Sequence, residues 1–568
     1  MTESPTCSRW PPKPPKVTSI NLVDRLRLRE VGNRRQGSHH LIGARDLYWS
    51  LYPRVTVVNV DKPPCFLRKF TPDGRYLIAF SSAQTSILVY EYRGVTAAGQ
   101  LMSGSDVMLW QDDEEFGSIE ARQNLFDTLF CLKHSITVLE PNAEALGPIG
   151  QLNRECSLFT ADSRHLIVAS SCLCSQTGDR FPGLLDFYQT NESLSPSVNL
   201  PVEDIRIFSV DIVNGRVCDE QRFKCDKIVL SHNQGLYLCE RFLSVLSIQH
   251  QTIHIFQVEP ELGRLIPLQQ IGRFLFDDDE MLLRPYLVPA SEPSPDTAHR
   301  FAPMVESVMT GLKHRVMSWL FRKARDTGIQ SRFFQNFDHF RHLRLWKMQM
   351  VDSDIFLFRL ASEDLITMKV DPNTQPTWYV MYNWKTTEVL GVYDCYSREL
   401  LDLYEKCTDQ FRHPDGKVTF PCSTSSCHEA KSAHQRFKRT LDNAKGGCES
   451  ETVRRVLSQL PLASQTFATT PYLDVSMFSY DDKLISQLER PKVAGDSYVR
   501  FFSRRTNRLA FQLQCGLGAR GGTHSGARNL VAFIFHPTDP FAISVQRSSH
   551  RGEYTANFHL PANVPPST

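Results

Sequence analysis

The sequence predicts a mainly β protein: a β-propeller of about seven blades with α-helical insertions and an N-terminal helical docking arm. Three observations predict it. The first is the stretch Cys65 to Tyr92, which reads as strand, tight turn, strand, turn, strand. Pro72-Asp73-Gly74 carries turn chemistry, because proline fixes φ and glycine accepts the positive φ that closes the turn. Tyr76 to Phe80 is a short apolar run suited to a strand buried on both faces, and Ile87 to Tyr92 is rich in β-branched and aromatic residues. The second observation is recurrence. Phe159 to Ser171 repeats the unit almost position for position, and Phe242–Ile248 with Thr252–Val258 repeats its second half. Ile355–Leu360 with Leu365–Val370 does so more weakly, and Phe535–Val545 returns near the C-terminus. The third is spacing: repeats of about 40 residues, each worth several strands, mark propellers. A β-sandwich with chance similarity among its strands is the less favoured alternative.

Length and composition narrow the function classes. The 568 residues, 41% hydrophobic and 22% charged, describe a globular chain. A net charge of +2 supplies no global attraction to nucleic acid or to an anionic membrane. No window approaches 18 apolar residues, so no membrane span is expected, and Met1 to Lys16 lacks the apolar core of a secretory signal. The expected compartment is nucleus or cytoplasm, where the 15 cysteines stay reduced and Asn191-Glu192-Ser193 has no meaning as a glycosylation sequon.

In chain order, residues 1–19 form a Pro-rich arm whose run from Pro11 to Lys16 excludes helix. Residues 20–53 form a helix-loop-helix segment. Leu22, Val23 and Leu26 share one helical face beside Arg25, Arg27 and Arg29, and Gly32-Asn33 stops the helix. Leu41 to Tyr52, with Tyr48, Trp49 and Tyr52, makes a second helix or an irregular segment. Two readings stay open: a strap on the chain's own body, or a docking peptide whose apolar and arginine anchors fit a partner's groove. The docking residues in the second reading are Leu22, Arg25, Leu26, Arg27, Arg29, Trp49 and Tyr52.

Residues 54–275 hold propeller blades. Gly99 to Glu120 is expected as an exposed polar loop, Leu125 to Val138 as strand, and Leu184 to Tyr188 as strand. Asp204–Asp211 and Gly215–Cys218 form a hairpin about Asn214-Gly215, and Phe223 to Leu230 enters the third unit. Residues 276–345 are a linker and a helical insertion, with stripes Val305 to Leu320 and Phe333, Phe337 and Phe340. Its basic-aromatic character is weak support for direct nucleic-acid binding. Residues 346–395 return to a blade, with a hairpin about Lys385-Thr386-Thr387. Residues 396–465 are a second helical insertion, with faces Leu400, Leu403, Tyr404, Cys407 and Phe411, then Phe437 and Leu441, then Val453 to Leu460. Residues 466–562 close the propeller, and 563–568 are a tail.

Chemistry-bearing motifs are few. Gly516 to Gly521 has dinucleotide-type glycine spacing, but the strand-like Leu530 to Phe535, not a helix, follows it. Cys422, Cys427, His428 and His434 are the best metal-ligand cluster, in neither ribbon nor finger spacing, and Cys172 with Cys174 is weaker. No Walker loop, nucleophile elbow or HExxH is present, so no enzyme, cofactor or metal is expected.

Long blocks carry a resemblance: Thr56 to Phe70, Asn153 to Thr160, Phe223 to Leu238, Pro471 to Asp474 and Phe478 to Lys483. From about Ile20 to the C-terminus the chain resembles the De-etiolated family, departing in the first 19 residues and some loops. The resemblance implies a non-enzymatic nuclear subunit of a cullin-4 RING ubiquitin ligase. It implies, as partners, the large damaged-DNA-binding adaptor, cullin-4 with its RING subunit, a small associated acidic subunit, the Constitutively photomorphogenic RING/WD40 protein and a ubiquitin-conjugating enzyme. The alternative function is a propeller that binds histone tails or nucleic acid directly.

Overall fold

The structure, a computed structural model, describes residues 48–49, 51–102, 119–139, 150–174, 190, 192–194, 201–272, 311–366, 375–414, 439, 448–468, 470–475, 477–489, 498–514, 528–548 and 554–561. The described strands form six antiparallel sheets. The first sheet is Cys65–Phe70, Tyr76–Ser81, Ser86–Tyr92 and Phe130–Thr137. The second holds Gln151–Leu152 and Leu158–Phe159 beside His165–Leu173, then Glu203–Asp211 and Arg216–Asp226. The third is Leu236–Cys239, Phe242–Ser247, Thr252–Val258 and Leu265–Ile271; the fourth is Leu343–Asp352, Ile355–Ser362, Trp378–Asn383 and Glu388–Asp394. The fifth is Phe478–Ser479, Tyr498–Ser503 and Leu509–Gln514. The sixth joins Arg528–Phe535, Ala542–Ser548 and Tyr554–Leu560 to Val55–Val60, the first described strand of the chain.

The apolar runs read from the sequence are buried on both faces where a sheet lies between two packed layers. In Tyr76–Ser81, Leu77 and Ala79 share a core with Ile543 and Phe558 of the sixth sheet, whereas Ile78 and Phe80 share one with Leu166 and Val168 of the second. Ile167 and Ala169 then pack with Leu243 and Val245 of the third sheet, whose Leu246 and Ile248 pack with Phe356 and Phe358 of the fourth. Ile355 and Leu357 turn to a helical core of Leu400, Tyr404, Phe411 and Leu457. Phe501 and Phe511 of the fifth sheet pack with Phe535 and Ala542 of the sixth. In Tyr76–Ser81, His165–Leu173, Phe242–Ser247 and Ile355–Ser362, period-2 alternation thus sends odd and even positions into different cores.

The repeated turn has the same side-chain hydrogen bonds in its first two copies. The Thr71 hydroxyl donates to Asp73 Oδ1 and accepts from the Tyr76 N–H at 3.1 Å; the Thr160 hydroxyl donates to Asp162 Oδ1 and accepts from the His165 N–H at 3.0 Å. In the third copy, His536 Nδ1 takes the threonine's place and accepts from the Asp539 N–H at 2.8 Å. Gly74 has φ 77°, a conformation Ser163 also adopts in the second copy at φ 60°, but a Cβ on Gly74 would lie 2.6 Å from the His536 ring, so it is the space that requires glycine.

The segment from Leu460 to Glu489 is hydrogen-bonded to strands of four sheets. Gln349 accepts from the Leu462 N–H at 2.7 Å, and Ser464 accepts from the Leu238 N–H at 3.2 Å. Gln465 accepts from the Phe159 N–H at 2.9 Å and donates to the Phe159 carbonyl at 2.7 Å; Arg68 donates to Glu489 at 3.3 Å. Phe467 packs on the helical core beside the fourth sheet, and its neighbour Ala468 packs on the core of the fifth.

The helical insertions are present as Gly311–Asp326, Gln330–Gln335 and Phe337–Arg341, and as Arg398–Lys406, Thr408–Arg412 and Cys448–Leu457. Leu312 and Val316 seat the first group on the core between third and fourth sheets. Lys313 and Arg344 both reach Glu192 from either side of this joint, at 2.5 and 2.9 Å.

Four expectations are corrected. Leu125 to Leu129 is not strand but the end of a helix, Ile119–Leu129, and strand begins at Phe130. Leu125, Phe126 and Leu129 have helical spacing, and the apolar strand that follows hid the boundary. Leu365 and Ile366 lie in a helical turn, Glu363–Ile366, that tucks two apolar side chains into the core after Ile355–Ser362 ends. Phe223 to Asp226 completes the second sheet, and the third starts only at Leu236, after a 3-10 turn at Ser231–Asn233. Within the expected loop Gly99 to Glu120, Gly99–Met102 is a helical turn. Residues 175–189, with Leu184 to Tyr188, lie outside the described residues, as do Val305, Phe437 and Leu441.

Candidate docking site at the N-terminal strap

The chain enters its body at an aromatic strap that precedes the strand Val55–Val60. Tyr48 is buried, its ring edge-on to Tyr472 at 5.7 Å, and its phenol donates to the Thr538 carbonyl at 2.8 Å. Burial, and then the nearby Asp539 carboxylate, push the Tyr48 phenol up to about 12, so it is a neutral donor. Tyr472 answers by donating its phenol to the Leu51 carbonyl at 2.7 Å. Trp49 packs on Phe478 at 5.3 Å under the Arg505 guanidinium, and Tyr52 stacks on Phe511 at 5.0 Å. The Arg54 N–H then donates to the Leu560 carbonyl, and strand pairing with Tyr554–Leu560 begins.

Of the residues singled out for docking, Trp49 and Tyr52 therefore lie half-buried on the fifth sheet of the same chain. Leu22, Arg25, Leu26, Arg27 and Arg29 fall outside the described residues, as do the glycine loop Gly516 to Gly521 and Cys422, Cys427, His428 and His434. The sequence reading missed Tyr48 as the deepest strap residue, with its partners Tyr472 and Thr538. The available signal was Tyr48-Trp49 followed by Tyr52, a concentration of aromatics directly before a β-branched strand.

What the strap does physically is fix the point at which the preceding residues join the body. The described helices include none long and apolar enough to cross a membrane.

The family model described as De-etiolated protein 1 Det1 matches residues 154–562. This chain belongs to that family. The matched stretch contains the strands of the second to sixth sheets, save Val55–Val60 and the two-residue strand Gln151–Leu152, together with the Leu460 to Glu489 segment and both helical insertions. Two relatives, each described as Light-mediated development protein DET1, extend the likeness to the strap and first sheet. The protein from Solanum lycopersicum is 27% identical over 95% of this chain and 99% of its own length. The one from Arabidopsis thaliana is 26% identical over 96% and 99%. Among solved structures, the Cps50 (Swd1) beta-propeller domain of Myceliophteria thermophila is 7% identical with a TM-score of 0.28, covering 88% of this chain and 98% of that one.

Proposed function

We propose that this Det1-family chain is a non-enzymatic scaffold subunit of a nuclear cullin-4 RING ubiquitin ligase. In this reading it joins the damaged-DNA-binding adaptor to the Constitutively photomorphogenic substrate receptor and so promotes ubiquitination and degradation of transcription factors. The observation that carries the reading is the family match over residues 154–562, with relatives that align along nearly the whole chain and are named for light-mediated development. The six described sheets act as blades of a β-propeller, shut by the pairing of Val55–Val60 with Tyr554–Leu560. The serial sharing of cores, from the fifth sheet through the sixth, first, second and third to the fourth, supports this, since a propeller blade packs face to face on its neighbours.

The adaptor contact in this proposal is made by residues 20–47, whose Leu22 and Leu26 share a face beside three arginines. The strap holds the base of that segment, because Tyr48, Trp49 and Tyr52 are engaged with the chain's own fifth sheet. Interface energy concentrates in a few apolar and arginine anchors. Leu22→Asp with Leu26→Asp should therefore abolish adaptor co-purification and leave the thermal melt unchanged. A stoichiometric adaptor on the double variant would move the anchor elsewhere, and an early melt would make 20–47 part of the structural strap.

A further inference from the structure

Cys174, Asp204 and Cys225 converge at one end of the second sheet. Cys174 immediately follows His165–Leu173, Asp204 lies on Glu203–Asp211, and Cys225 lies on Arg216–Asp226, so three adjacent strands each contribute one group. The two sulfurs are 3.7 Å apart, and Cys174 Sγ is 3.4 Å from Asp204 Oδ1. All three donor atoms lie within 4.8 Å of one another. The pairing of Arg216–Asp226 with Glu203–Asp211 shifts register between Phe223 and Asp226, and Cys225 takes φ 50° there while its N–H donates to Asp204 Oδ1 at 2.9 Å. The irregularity brings Cys225 beside Asp204, where an uninterrupted ladder would alternate it away.

These separations match a metal's coordination edges. With zinc–sulfur bonds of about 2.3 Å and tetrahedral angles, two thiolates stand about 3.8 Å apart; a thiolate and a carboxylate oxygen bound at about 2.0–2.2 Å stand about 3.6 Å apart. A disulfide would need its sulfurs at about 2.05 Å, and a thiol pair in a core would not place a carboxylate between its strands. The flanking cations do not oppose a positive guest, because Lys227 is paired with Glu203 at 2.8 Å and Arg206 with Glu220 at 3.8 Å. The second such cluster, His165, Asp211 and Cys218, differs on this point: the Arg164 guanidinium already holds Asp211 at 3.2 Å.

We propose that Cys174, Cys225 and Asp204 form a binding site for one soft or borderline divalent cation, zinc in the cell. Both thiols lose their protons to solvent on binding, the carboxylate completes a three-ligand set, and the fourth position opens outward past exposed Asp204 and takes water. Such a site clamps three strands of one sheet together at their ends. The inference stands apart from the ligase reading, since it uses only these three side chains.

The test is Co²⁺ titration of the full chain, kept reduced and freed of metal, read as thiolate-to-cobalt charge-transfer absorption and then displaced by Zn²⁺. One equivalent of cobalt per chain is expected to give the band. Cys174→Ser is expected to abolish it while circular dichroism stays native, since Cys174 is half-exposed just beyond a strand end. Asp204→Asn, at an exposed position, is expected to weaken cobalt binding severalfold or more, because a neutral amide oxygen replaces an anionic ligand. Cys422→Ser with Cys427→Ser is expected to leave the band in place, which separates this site from the sequence cluster near His428. Absence of the band in the wild type, its persistence in Cys174→Ser, or its loss in the Cys422/Cys427 variant would each overturn the proposal.

Discussion

Thr56 and His559 are hydrogen-bonded across 503 positions of sequence, the threonine hydroxyl 2.9 Å from Nδ1 of the imidazole. The other ring nitrogen is 3.0 Å from the Ser544 hydroxyl, and His559 is fully buried. The bond joins the first described strand to the last and so staples the chain's two ends into one sheet. Burial pushes the His559 imidazole down to about 3, so it is neutral in the folded protein.

Acid should therefore loosen this closure. His559 has a folded value near 3 and an unfolded one near 6.5, so the unfolded chain binds the extra proton as pH falls between them. Stability contributed by the neutral ring is full above about 6.5 and is lost towards 3, about 2 kcal/mol at pH 5. His250 and His254, both pushed down to about 4 chiefly by burial, add in the same direction. Buried Asp226, raised to about 6, opposes them, because its folded form takes up a proton first. Three histidines outweigh one carboxyl. Chemical unfolding midpoints should fall from pH 7 to pH 5, and His559→Asn should show a shallower fall; a flat profile would refute the assignment.

Gln465→Ala should destabilise the protein by about 2 kcal/mol, because one side chain satisfies both the N–H and the carbonyl of buried Phe159. Urea unfolding measures it. A midpoint equal to wild type would mean that the Leu460 to Glu489 segment contributes nothing to holding the sheets together.

Phe80→Ala should cost about 3–5 kcal/mol, the range for removing a buried phenylalanine, since Phe80 fills the core between first and second sheets with no exposed surface. Phe70→Ala should fall in the same range, from the opposite face: its ring meets His536 at 4.8 Å and Tyr92 at 5.6 Å. Thermal melts matching wild type would contradict this packing.

Tyr48→Phe should lower stability by about 1 kcal/mol through loss of the bond to the Thr538 carbonyl, with the ring contact to Tyr472 retained. Tyr48→Ala should lose more. If differential scanning calorimetry found the two variants alike, the strap would be held by its hydroxyl alone.

What the sequence made legible was what repeats locally. Phe70-Thr71-Pro72-Asp73-Gly74 and Phe159-Thr160-Ala161-Asp162-Ser163 encode a turn whose hydrogen bonds are all within six residues, so pattern and structure coincide. The hairpin at Asn214-Gly215 and the helical face of Leu400 and Tyr404 were legible for the same reason. Leu125 to Leu129 was misread because a helix end and a strand start run together as one apolar stretch. The polar Ser464 and Gln465 carry no periodicity, and their partners Leu238 and Phe159 lie hundreds of positions away. Of the candidate sites, Cys174 was visible but not Cys225, since only strand pairing across 51 positions brings them together. Trp49 and Tyr52 were picked out as aromatic anchors, while the surface they engage, Phe478 and Phe511, was not readable from spacing.

The central claim is that this chain is a ligase scaffold, and co-purification tests it most directly. The full-length chain, tagged and recovered from nuclear extract at physiological and high salt, would be analysed by quantitative mass spectrometry. The account predicts the damaged-DNA-binding adaptor in stoichiometric amount at both salt concentrations, with cullin-4 and the Constitutively photomorphogenic protein accompanying it. Recovery of nucleic acid or histones that wash away with salt, and no adaptor at either concentration, would contradict it, because a phosphate-bound propeller loses affinity steeply with salt while an apolar docking interface does not.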